Sequence, residues 1–230
     1  MRNLSAYCAL LVAGCATSVP DDETSFDRAR VVGSSIALRP GGLATGAVDA
    51  SLLAIGVLPA GLHTEADGTV LGTRDGVTYR YAVGSCERCG VPGPCDWFTT
   101  SATVVAGWTG AMHQPDLDVQ TVGEGTWQVT RMCKAVAGAP VVTGTTAIAL
   151  TAVIGDAHHE ISEELRHSVK VQYLFLPPPP LLAGTVQIDA DGTIGEAVLA
   201  NTPTASLVLD DERFELDLAS GVVQPVFPGE

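Results

Sequence analysis

The chain has 230 residues, with 26 Asp and Glu against 12 Lys and Arg, for a formal charge of −14. A surface of that sign repels phosphate backbones, which argues against nucleic acid as a partner. It also repels anionic headgroups, so membrane attachment would have to rest on lipid rather than on charge.

The first residues read as a targeting segment, to be set aside before fold reasoning. Arg2 and the free amine supply a positive start, and Ala6 to Ala13 form an apolar run. That run falls far short of the roughly 20 apolar residues a membrane-spanning helix needs. Val12-Ala13-Gly14-Cys15 resembles the lipobox of bacterial lipoproteins, in which a cysteine follows small residues at the end of the apolar run. The resemblance covers about fifteen residues and implies that residues 1–14 are removed and that Cys15 carries a diacylglyceryl group and an acylated amine. Each buried methylene contributes about 0.8 kcal/mol, and two or more chains hold stably. The sorting rule of that family makes aspartate after the cysteine an inner-membrane signal. Ala16 in that place implies passage to the outer membrane, facing the periplasm or the cell surface. Residues 15–30 continue polar and acidic (CATSVPDDETSFDRAR), as a flexible tether would.

Without residues 1–14 the chain has 216 residues, which allows one large domain or two small ones. Val, Thr, Gly and Ala dominate, and Gly and Pro punctuate short runs suited to strands. This composition predicts an all-β antiparallel β-sandwich over residues 31–176. Val31 to Leu38 suits a strand, and Ala50 to Leu58 suits a strand or a buried helical turn. Asp67-Gly68 and Asp75-Gly76 are turn signals that place a hairpin over 69–83. Trp97 to Trp108 reads as a strand. Leu117 to Val122 and Thr126 to Met132 read as a hairpin around Gly123-Glu124-Gly125, and Thr145 to Ile154 as a long strand. From Ser168 to Phe175 the alternation sends Val169, Val171, Tyr173 and Phe175 inward and Lys170 and Gln172 outward.

TTAIALTAVIGDA and HSVKVQYLF, within 97–176, resemble the closing strands of bacterial immunoglobulin-like domains, including those of PKD type. The resemblance implies an immunoglobulin-like sandwich, from which the polar stretch His158 to Arg166 departs as an insert. Residues 177–183, with four prolines, read as a stiff polyproline spacer. Residues 184–230 then make two hairpins, too small to stand alone and expected to dock on the sandwich as a second layer.

Four cysteines, Cys86, Cys89, Cys95 and Cys133, lie beyond the tether. In an exported chain an even number reads as disulfides. Cys86 and Cys133 each end an expected strand, which favours Cys86–Cys133, with Cys89–Cys95 closing the Gly/Pro loop between them. The competing reading is a tetrathiolate zinc site, for which a second close pair is missing. His158, His159 and His167 with Asp156 and Glu160 could bind a divalent metal, or could simply populate a solvated loop. Gln187 to Ile194 has the Asp-rich look of a calcium loop, but the register puts Gln187 first and Val198 twelfth, where oxygen ligands are required. Neither G-x-S-x-G nor H-E-x-x-H occurs.

These readings predict a lipid-anchored envelope protein with a non-catalytic ectodomain that binds or supports an envelope protein or carbohydrate and needs no cofactor. The alternative is an envelope enzyme or metal-binding protein whose site is assembled from distant His, Asp and Glu residues. A pocket joining any two of His63, His113, His158, His159 and His167 with a carboxylate would mark it.

Overall fold

The computed structural model describes residues 25–114, 117–133, 138–154, 157–172 and 180–227. Among these residues two helices come first, α1 (Ser25–Ile36) and α2 (Leu43–Ala54). Thirteen strands follow: β1 (Leu62–Thr64), β2 (Val70–Arg74), β3 (Val77–Arg88), β4 (Val91–Gly93), β5 (Ser101–Gln114), β6 (Leu117–Thr130), β7 (Val141–Ile154), β8 (Ala157–Gln172), β9 (Leu181–Ala190), β10 (Thr193–Ala200), β11 (Thr204–Leu209), β12 (Glu212–Asp217) and β13 (Val223–Pro225). All belong to one antiparallel sheet in which successive strands are neighbours, with β4 folded off β3 as a side hairpin.

The chain is therefore all-β and antiparallel in its strands, which form a single open sheet and do not confirm the expected immunoglobulin-like pair of facing sheets. Alternation is the reason both arrangements fit the sequence. β6 runs buried, exposed, buried from Leu117 onward, and β8 to β10 do the same. Such a pattern says that one face is covered without saying by what. Here the cover is α1 and α2, packed on the inner face in one continuous core with the strands. Arg39 shows how far the sheet curls around them. Its guanidinium donates to the His113 carbonyl at the end of β5 (2.7 Å) and to the Ser220 carbonyl between β12 and β13 (2.9 Å), far apart in sheet order.

The expected strand at 31–38 is instead the second half of α1, and residues 25–30, expected in the tether, form its first turns. Residues 31–36 are buried without exception, so the polar stripe that marks an amphipathic helix is missing from them. Ser34 and Ser35 satisfy their hydroxyls on the carbonyls of Val31 and Val32, three residues back. The stretch at 50–58 resolves as the end of α2 and the turn after it.

The expected hairpin at Gly123-Glu124-Gly125 is also corrected, because β6 runs straight through it. These glycines make room for indoles. Gly123 lies directly opposite Trp108 of β5, and a Cβ there would fall 2.3 Å from the ring. Tight turns occur instead at Asp75-Gly76 and Asp191-Gly192, both residues of each pair having positive φ as a type I′ hairpin needs.

The insert at His158–Arg166 is strand, the first part of β8. Val169 and Val171 do face inward and Lys170 outward, while Tyr173 and Phe175 lie outside the described residues, as do Pro177 to Pro179. Residues 181–183, counted in the spacer, already belong to β9. β9 pairs with β8 from Glu163↔Ala190 to Gln172↔Leu181, so the C-terminal hairpins extend the sheet edge to edge and add no second layer.

The four cysteines form two disulfides, but with the other pairing: Cys86–Cys95 and Cys89–Cys133, each with Cα atoms 5.2 Å apart. A bulge in β3 causes this. Between Val83 and Cys86 the strand advances three residues while β5 advances two. The extra residue flips the parity, so even-numbered Cys86 joins odd-numbered Tyr79 and Tyr81 on the buried face. There it meets Cys95, two residues past its hairpin partner Gly93. Cys89, with Gly90, forms the β3–β4 turn, both at positive φ, and reaches Cys133 just beyond β6. Alkylation of a denatured, unreduced chain starting at Ala16 is expected to label none of these cysteines, and proteolysis is expected to yield 86–95 and 89–133 linked peptides. Four free thiols, or one zinc per chain, would overturn the pairing.

Candidate functional site

β8 carries most of the residues singled out as metal candidates, and strand periodicity divides them. His158 and Glu160 project from the exposed outer face, whereas His159 and His167 are buried on the inner face. Residues on opposite faces of a strand cannot share one ion. Asp156 lies outside the described residues, as does Cys15. His63 and His113 each meet a local carboxylate at the surface, Glu65 at 2.9 Å and Asp118 at 2.6 Å. Among the described residues no three His, Cys, Asp or Glu side chains come together as a metal would require.

The inner face holds three polar clusters inside an apolar core. On α2, Asp49 is nearly fully buried and takes a two-pronged ion pair from Arg74 of β2 and a hydrogen bond from the Tyr81 hydroxyl (2.8 Å). Arg74 also lies 4.3 Å over the Tyr79 ring. Burial raises the Asp49 carboxyl above the ordinary range, while Arg74 and Tyr81 oppose that rise. The pair pins α2 to the β2–β3 hairpin.

The second cluster joins α1 to β8. Ser35 Oγ lies 2.6 Å from Glu163 Oε2 and 2.8 Å from the Val32 carbonyl. A serine hydroxyl has one proton, and a carbonyl can only accept. If Ser35 donates to Val32, the Glu163 carboxyl must donate to Ser35, which requires it to be protonated. Burial pushes that carboxyl up to about 8 despite the Ser35 hydrogen bond, and Asp191 nearby adds to the rise. In the third cluster, Trp127 Nε1 donates to Thr146 Oγ1 at 2.9 Å, and His167 Nε2 lies 3.3 Å from the same oxygen. The Trp127 and His167 rings meet edge to face, 5.4 Å between centroids. Burial pulls His167 down to about 4, so the ring is neutral at pH 7.

Among the described residues, an open trough of about 530 Å³ lies on the outer face over β8 to β11, lined by Glu164, Arg166, Gln187, Asp189, Glu196, Ile194 and Val208 with no histidine. Glu164 and Arg166 form an ion pair at 2.8 Å, and Asp189 accepts the Gly192 N–H at 3.0 Å. Carboxylates, an amide and a guanidinium around exposed Ile194 suit contact with a polyhydroxylated or cationic ligand.

Neither Glu163 nor this trough was singled out from sequence. The signal for Glu163 was present: Ile161, Glu163, Leu165, His167 and Val169 continue the two-residue period backward through a stretch that looks like a polar loop. The trough has no such signal, since it joins residues of four strands. No protein-family model, curated protein or solved structure matches this chain.

Proposed function

We propose that the chain is a lipid-anchored protein of the bacterial envelope, cut before Cys15 and sorted to the outer membrane, with a non-catalytic ectodomain that binds or supports an envelope protein or a carbohydrate. One observation carries the reading. Cys86, Cys89, Cys95 and Cys133 use one another up in two disulfides, which suits an oxidising compartment. Of the other two cysteines, Cys8 would be lost with the signal, so Cys15 alone remains for lipid. The trough over β8–β11 is the surface on which a ligand would be sought.

Labelled palmitate fed to an expressing bacterium is expected to enter the wild-type protein and to be absent from Cys15→Ser. Equal labelling of the two would refute the anchor.

A further inference from the structure

Large apolar side chains are exposed together where both disulfides sit. Trp97 and Phe98 are each 46% exposed, Val91 65% and Met132 72%. Four links place them side by side. Cys89 is bonded to Cys133 and Cys86 to Cys95. The Arg131 N–H donates to the Thr100 carbonyl, and the Thr100 N–H to that of Glu87, both at 2.8 Å. Exposed Val57 and Leu58 join from behind, since neighbouring Gly56 packs against the Cys95 carbonyl. These links hold the segments that carry the exposed side chains together.

Two guanidiniums stand over these rings, Arg88 at 4.5 Å from Phe98 and Arg131 at 5.7 Å from Trp97. In a chain with a net charge of −14, Arg88 and Arg131 offset Glu87 and Asp96 here, so the tip is locally close to neutral. The carboxylate of Asp96 turns back into its own loop, accepting the Phe98 N–H at 2.8 Å.

We propose that this disulfide-braced tip enters the headgroup layer of a phospholipid bilayer, with Trp97, Phe98 and Met132 at the acyl boundary and Arg88 and Arg131 on lipid phosphates. Tryptophan favours that boundary, being apolar in body and polar at one edge. Guanidinium matches phosphate in a forked hydrogen bond. The acidic remainder of the surface is repelled by anionic headgroups, which leaves the tip as the end that faces them. The contact does not depend on lipid at Cys15 and is tested without it.

The chain has three tryptophans, and Trp108 and Trp127 are 3% and 0% exposed, so changes in emission report on Trp97. A chain starting at Ala16, without the lipidated Cys15 but with every described element, is oxidised and mixed with vesicles of phosphatidylethanolamine and phosphatidylglycerol. The expected result is a blue shift, protection from acrylamide and quenching by brominated lipid. Phe98→Ser and Met132→Ser keep the reporter and are expected to weaken partitioning by on the order of tenfold each. Thermal melting checks their fold, and Met132→Ser, at the most exposed position, decides the matter if Phe98→Ser melts early. Unchanged emission at saturating lipid overturns the proposal, as does undiminished binding by folded variants. A blue shift that grows with protein concentration in the absence of vesicles assigns the patch to a second copy and overturns it equally.

Discussion

Trp127→Ala is expected to lower the stability of the fold by about 3–5 kcal/mol, the range for truncating a fully buried tryptophan. The side chain has no exposure and sits where α2 meets the sheet. Gly46 of α2 lies so close that a Cβ there would fall 2.6 Å from the ring, and Gly144 lies directly opposite on β7. Neither glycine has a side chain that could move into the vacated space, so the cavity would stay open. The indole N–H also serves Thr146, and the ring edge supports His167. Single domains have only about 5–15 kcal/mol in total. Urea unfolding followed by far-ultraviolet circular dichroism measures the change. Trp127→Phe, which refills part of the volume but drops the hydrogen bond, should fall between. A loss below about 1 kcal/mol for the alanine variant would show that the inner face is not packed around this residue.

Glu163→Gln is expected to stabilise the protein at pH 8 and to change it little at pH 4.5. The folded carboxyl is raised to about 8 from an ordinary value of 4.5, so the folded state holds a proton that the unfolded chain has released. A raised carboxyl contributes stability that is fully present below 4.5 and lost as pH climbs through about 8. At about 1.4 kcal/mol per pH unit, the loss across that window is on the order of 5 kcal/mol. His167 works in the opposite sense. Its folded value of about 4 lies below 6.5, so its contribution is present above 6.5 and lost as pH falls through about 4. Between pH 4.5 and 6.5 the two slopes oppose each other, and above 6.5 Glu163 alone acts. Stability is therefore expected to be flattest over pH 4.5–6.5 and to decline toward pH 8. Glutamine keeps the donor that Ser35 needs but cannot ionise, so it removes the alkaline decline. Denaturant midpoints at pH 5, 6.5 and 8 test this, and parallel pH profiles for the two proteins would rule Glu163 out as the cause.

Much of the strand content could be read directly from the chain because it is written in neighbouring residues. Asp75-Gly76 and Asp191-Gly192 adopt positive φ wherever they occur in a hairpin, and the alternation around Val169 and Val171 declares one covered face. The same local logic shows that His158 and Glu160 share a face. What covers the inner face is not a local property. Residues 31–36 are apolar or small on every side because that half of α1 is enclosed on every side, and a run with β-branched Val31, Val32 and Ile36 then looks like a strand. Glycines 123 and 125 resemble a turn until Trp108 and Trp127 occupy the space above them. The number and type of cysteines indicated disulfides, but the pairing depended on one extra residue in β3, which turns Cys86 inward and away from Cys133. The Glu163 carboxyl is raised only because the fold buries it under α1, and the trough exists only where four strands lie side by side. Local sequence sets backbone φ and side-chain parity, which are properties of adjacent residues. Layering, cross-linking and charge state depend on contacts between residues far apart in the chain, and those exist only once the sheet has curled around its helices.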